Sequence, residues 1–175
     1  MKNLLVMTFA AAATLGISTV NAADGTINFM GEILDQACTV DIGANNTMTV
    51  DLGRVAKTSF INAGDEAAAT KFVIRLINCP ASVNAAQVKF DGANDLSDSS
   101  LLAINSGPGS ASGVAIKLMT ADRAPLGLNQ TNGYSYVLSS NWDNNLEFYA
   151  AYRATQSGVM AGTAHSVANF TVNYN

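Results

Sequence analysis

The sequence predicts an all-β fold, and three observations carry that expectation. Short segments rich in Val, Ile, Phe, Tyr and Thr alternate apolar with polar residues, the period of two that a half-buried strand requires. Clusters of Gly, Asn, Asp and Ser punctuate these segments and leave no room for long helices. Charged residues make up only 13% of the chain against roughly 25% in average soluble proteins, while 49% is apolar, so a packed core is expected and disorder is not. At 175 residues the chain suits one domain. Its net charge of −4 supplies no attraction for phosphate backbones or anionic lipid, which excludes nucleic acid as an expected partner.

Residues 1–22 come first. Lys2 precedes an apolar run from Leu4 to Val20, and Val20-Asn21-Ala22 closes it with residues suited to signal peptidase. A secretory signal peptide is expected. A membrane anchor is the competing reading, but Ala, Thr, Ser and Gly make the run weakly hydrophobic and no basic stop-transfer cluster follows.

Beyond the leader, the first strand is expected at Thr26 to Leu34. Ile27, Phe29, Gly31 and Ile33 share one face, an apolar stripe interrupted by a glycine. Further strands are expected at Ala37 to Ile42, Thr47 to Val55, Lys71 to Asn78, Gln87 to Phe90, Gly113 to Met119, Tyr134 to Leu138 and Leu146 to Arg153. Turns fall at Asn45-Asn46, Asp91-Gly92, Ser106-Gly107-Pro108-Gly109 and Asn132-Gly133. Ala67-Ala68-Ala69 and Ala150-Ala151 each have the composition of a helical turn. The last strand runs from Ser166 to Tyr174, with Ala168, Phe170, Val172 and Tyr174 alternating with polar residues up to Asn175. An end of this kind frays unless something pairs with it. Eight or nine strands in one exported domain point to a β-sandwich of immunoglobulin-like character.

The only two cysteines, Cys38 and Cys79, both follow the leader, and an even count in an exported chain favours a disulfide. Candidate chemical sites are weak. His165 is the sole histidine, no nucleophile-elbow pattern surrounds it, and catalysis is not expected. Asp91, Asp95 and Asp98 miss the spacing of a calcium loop. Gly107, Gly109 and Gly113 lack the lysine of a phosphate loop. Trp142 with Tyr134, Tyr136, Phe148 and Tyr149 has the residue types of a sugar-binding surface, although aromatics in strands more often fill a core. Neither metal nor cofactor is expected.

Several segments together carry a resemblance. Gly25-Thr26-Ile27-Asn28-Phe29-Met30-Gly31-Glu32-Ile33, Ala37-Cys38-Thr39-Val40, Val50-Asp51-Leu52-Gly53 and Asn78-Cys79 occur in that order, and Gly162, Phe170, Val172 and Tyr174 follow near the end. In order and spacing the chain resembles chaperone-usher pilins of the type 1 fimbrial kind. The resemblance implies an incomplete immunoglobulin-like sandwich, completed by a donor strand from a neighbouring subunit. It divides the chain into a signal peptide at 1–22, a donor extension at 23–35 and a pilin domain at 36–175. Ile27, Phe29, Gly31 and Ile33 would be the donor positions. Gly162, Ala168, Phe170, Val172, Tyr174 and Asn175 would belong to the groove-edge strand gripped by the chaperone.

Implied partners are identical or related pilin subunits, a periplasmic chaperone and an outer-membrane usher, and the implied destination is a fimbria on the cell surface. Strand geometry alone leaves Gly31 as either a bend or a notch, and the resemblance selects the notch. The rival to a rod subunit is a carbohydrate-binding adhesin or a minor adaptor at the fimbrial tip. Tip adhesins of the family carry an additional receptor domain, for which this chain is too short.

Overall fold

Alternating inward and outward side chains assemble nine strands into two facing antiparallel sheets in the computed structural model, which describes residues 25–31, 33 and 36–175. The strands are β1 (Thr39–Asp41), β2 (Thr70–Ile77), β3 (Ala85–Gly92), β4 (Leu102–Ala103), β5 (Val114–Met119), β6 (Pro125–Leu126), β7 (Tyr136–Val137), β8 (Asn144–Ala154) and β9 (Ala168–Tyr174). One sheet has the order β1-β2-β8-β5-β4, with β6 also on β5; the other is β7-β3-β9. The chain divides into two units, Met1–Ile33 and Leu34–Asn175. The sheets belong to the second. In the first, residues 25–31 and 33 form neither helix nor strand. The signal peptide expected at residues 1–22 lies outside the described residues.

β8 is the keystone of the larger sheet. Its eleven residues pair with β2 from Thr70↔Ala150 to Leu76↔Asn144 and with β5 from Val114↔Ala154 to Met119↔Tyr149. Every second residue from Asn144 to Ala150 is buried, as the period of a one-sided strand dictates. Leu146 and Phe148 thereby meet Ile74 and Leu76 of the same sheet and Val88 and Phe90 of the other. Phe90 meets Phe148 edge-on with centroids 5.2 Å apart, while Phe72 stacks on Phe148 at 5.5 Å. Such aromatic pairs each add about 0.5–1.5 kcal/mol beyond the area they bury.

Cys38, just ahead of β1, bonds Cys79, just after β2. The bridge spans a sequence separation of 41 and closes a loop containing residues 47–55. Loop-closure entropy assigns it about 4 kcal/mol. Replacing both cysteines by serine is expected to lower stability by about that amount. Denaturant unfolding of the two forms checks this, and equal midpoints would show that the bridge contributes nothing.

Differences from the sequence-based expectations have local causes. Residues 26–31 and 33 carry no strand, because alternation becomes a strand only when a neighbour supplies hydrogen bonds. Residues 47–55 fail for the same reason: Met48, Val50 and Leu52 are half-buried between exposed neighbours, the rhythm of a strand, yet no ladder forms there among the described residues. The Ala-rich helical turns are absent as well. Ala150 and Ala151 sit inside β8, and Ala67 bonds Tyr152 in an extended stretch; the only helical turns described are short 3-10 segments at Ala44–Asn46 and Lys57–Ser59.

Asp91-Gly92, expected as a turn, ends β3 instead. There the Asn129 side chain bonds both the N–H and the C=O of Gly92, holding the strand end in place. Asn45 and Asn46, by contrast, do adopt the positive φ of a turn, at 57° and 52°.

Candidate functional site: an apolar groove beside the last strand

Among the described residues β9 pairs on one side only. Ala85 and Asn175 exchange both of their main-chain hydrogen bonds, and the register from Ala86↔Tyr174 to Gly92↔Ala168 continues from that pair. Bonded and non-bonded pairs alternate in an antiparallel ladder, so the bonds to β3 come from Asn169, Thr171, Asn173 and Asn175. The main-chain N–H and C=O groups of Ala168, Phe170, Val172 and Tyr174 therefore point along the free edge. A row of unpaired donors and acceptors of this kind is a template for another strand.

The side chains of the same four residues face inward and are only half-buried, whereas Val88 and Phe90 opposite Val172 and Phe170 are buried. The missing cover is a groove of about 1520 Å³. One bank is the extended stretch 46–55 and the other runs from Val159 to Tyr174. Phe72, Ile74, Phe90, Leu102, Ile116 and Leu118 line it from the core. Phe170 bridges wall and floor, with its ring centroid 6.3 Å from that of Phe90.

Two tyrosines tether the bank that runs from Val159 to Tyr174. Tyr174 Oη donates to the Cys38 carbonyl at 3.4 Å, and Tyr152 Oη donates to the Ala164 carbonyl at 2.8 Å. Burial pushes both phenols above their ordinary pKa, so each remains a neutral donor.

Gly162 also lines the groove, and its glycine is required by packing. A Cβ there would lie 2.3 Å from the Ser110 carbonyl carbon and 2.4 Å from the Ala111 nitrogen. The bridges Ser110↔Thr163 and Ser112↔Met160 hold the two backbones at that spacing. Gly31 behaves differently. An added Cβ would meet nothing within 4 Å among the described residues, and its φ is not in the left-handed region. Ile27, Phe29 and Ile33 are 78%, 90% and 98% exposed. Sequence reasoning missed the stretch 46–57 as a wall, along with its charged members Asp51, Arg54 and Lys57.

The remaining candidates have structural roles. His165 is exposed on the groove wall, and its main-chain carbonyl accepts from Asn105 N–H. Asp95 accepts from the N–H groups of Ser97 and Asp98, Asp98 accepts from Ser100, and Asp91 pairs with Lys89. Among the described residues no group of three metal-binding side chains forms. Trp142 is exposed while Phe148 is buried, and Tyr136 packs between Tyr134 and Phe148, so part of this aromatic set belongs to the core.

Fold and groove together define a class: immunoglobulin-like domains with an open sheet edge over an uncovered hydrophobic trough. Within that class the chain belongs to the fimbrial protein family, whose model, described as "Fimbrial protein", matches residues 27–175. It is 35% identical over 166 residues to the type-1 fimbrial protein, A chain, of Escherichia coli K12, covering 93% of this chain and 89% of that one. The probable major fimbrial subunit LpfA of Escherichia coli O157:H7 is 31% identical over 176 residues, with 99% and 97% covered. The crystal structure of a Burkholderia pseudomallei antigen and type I fimbria protein superposes with a TM-score of 0.60 at 31% identity, covering 86% of this chain and 97% of that one.

Proposed function

We propose that this chain is a structural subunit of a fimbrial rod, polymerising when the leading segment of one copy enters the groove of the next. The observation that carries the reading is the open edge of β9 above an uncovered core. An extended strand laid there would satisfy the main-chain groups of Ala168, Phe170, Val172 and Tyr174 and cover the trough in one step, the recurrent mode of strand addition. The chain's own segment 23–35 has the required alternation, with Ile27, Phe29 and Ile33 on one face and Gly31 as the notch among them.

An edge of this kind must be shielded before assembly, because exposed unpaired strands aggregate. A periplasmic chaperone supplies the temporary strand along β9. An outer-membrane usher passes the subunit to the growing fimbria at the cell surface. No catalytic role is assigned to any residue.

The test is electrophoresis of surface-sheared fimbriae in detergent without heating. Strand-exchanged polymers are expected as a ladder that collapses to monomer on boiling, because main-chain ladders buried over a core dissociate slowly. Monomer alone before boiling would contradict strand exchange.

A further inference from the structure

The cations of the described residues divide unevenly. Lys71, Arg75, Lys89, Lys117 and Arg153 are all in ion pairs, and the Arg123 guanidinium lies 4.3 Å from the centroid of the Tyr149 ring. Arg54 and Lys57 remain. Neither has an ion-pair partner among the described residues, and both line the groove. Among the described residues the only carboxylate lining it is Asp51, which accepts a hydrogen bond from Gly53 N–H at 2.8 Å. His165 adds no negative charge. The lip of the trough at residues 51–57 thus carries a net positive charge, two cations against one carboxylate.

Residues 23–35 carry the opposite sign. They contain Asp24, Glu32 and Asp35 and no lysine, arginine or histidine. When the segment is extended, the period of two places Glu32 on the face opposite Ile33, away from the trough floor and toward its rim.

We propose that Arg54 and Lys57 form an electrostatic latch that captures the acidic leading segment of the incoming copy and favours it over segments lacking those carboxylates. The proposal rests on the strand-exchange reading above and adds its charge-dependent specificity. Both cations sit at the exposed lip, where charge acts mainly on encounter. Rates should therefore change more than the final stability of the joint.

The test uses the subunit held by its chaperone and a fluorescent peptide of residues 23–35, following displacement of the chaperone at low and high salt. With the unaltered subunit, displacement should slow as salt rises, because screening shortens the reach of the charges. The Arg54→Gln, Lys57→Gln subunit should be slower at low salt by about tenfold and nearly insensitive to salt. A subunit with Arg54→Glu and Lys57→Glu should prefer a peptide carrying Asp24→Lys and Glu32→Lys, the two carboxylates on the face opposite Ile33, over the natural one.

Equal rates for the unaltered and glutamine subunits at low salt would overturn the latch while leaving strand exchange standing. Failure of the reversed subunit to prefer the reversed peptide would overturn it too. If the natural peptide displaced no chaperone from the unaltered subunit, strand exchange itself would fall and the latch with it.

Discussion

Moving the leading segment to the other end of the chain is expected to yield a soluble monomer that outlasts the natural subunit on heating by more than about 10 °C. The variant lacks residues 23–35 at its front and carries a copy of them after Asn175, joined by a Gly/Ser linker of roughly a dozen residues. At ~3.3 Å per extended residue, that linker lets the copy lie in the groove in either direction.

The expected size follows from burial. Ile27, Phe29 and Ile33 are 78–98% exposed in the natural subunit. Covering a large apolar side chain contributes about 1.5–3 kcal/mol, so the three supply on the order of 5–9 kcal/mol before ordering costs. Ladder bonds to Ala168, Phe170, Val172 and Tyr174 add to this. Each kcal/mol corresponds to about 2–4 °C in a domain of this size. Scanning calorimetry and gel filtration of the two forms check the result. A variant that melts with the natural subunit, or that still aggregates, would mean the groove accepts no such strand.

How much of this was legible in the sequence depended on whether a feature is local. The stripe of Ile27, Phe29 and Ile33 and the alternation of Phe170, Val172 and Tyr174 are written in consecutive residues, so the two strand-like ends could be read directly. Residues 47–55 show where that logic stops. Their alternation is real, but a strand also needs a hydrogen-bonded neighbour, and that neighbour is no part of the local sequence.

The two-residue strands Leu102–Ala103 and Pro125–Leu126 exist only because β5 passes beside them, and two residues have no period to detect. Gly92 was read as half of a turn. In the fold it ends β3 instead, where an added Cβ would lie 2.5 Å from Leu102 Cδ1 on β4, a neighbour that the residues on either side of Gly92 do not reveal. The net positive lip was illegible for a related reason: Arg54 and Lys57 differ from the other basic residues only after every ion pair has been located in space.

Gly31→Asn in the leading segment is expected to slow chain growth by about tenfold to a hundredfold while leaving the melting of the acceptor domain unchanged. A side chain forced into a site without room costs about 1–3 kcal/mol, and every 1.4 kcal/mol is a factor of ten. Among the described residues nothing opposes the change, since an added Cβ meets no atom within 4 Å and the glycine is not at positive φ. The effect is therefore expected in the joint between copies.

Asparagine is chosen because it separates the two explanations for a glycine in a strand. Of the non-glycine residues it is among those that best tolerate left-handed backbone, so a glycine kept only for a bend should accept it. A glycine kept because the trough is shallow beneath it should not. Growth measured with Gly31→Ala and Gly31→Asn peptides against the same chaperone-held subunit should fall with side-chain volume. Normal growth with asparagine would leave the bend as the reason for Gly31 and remove the notch from the mechanism.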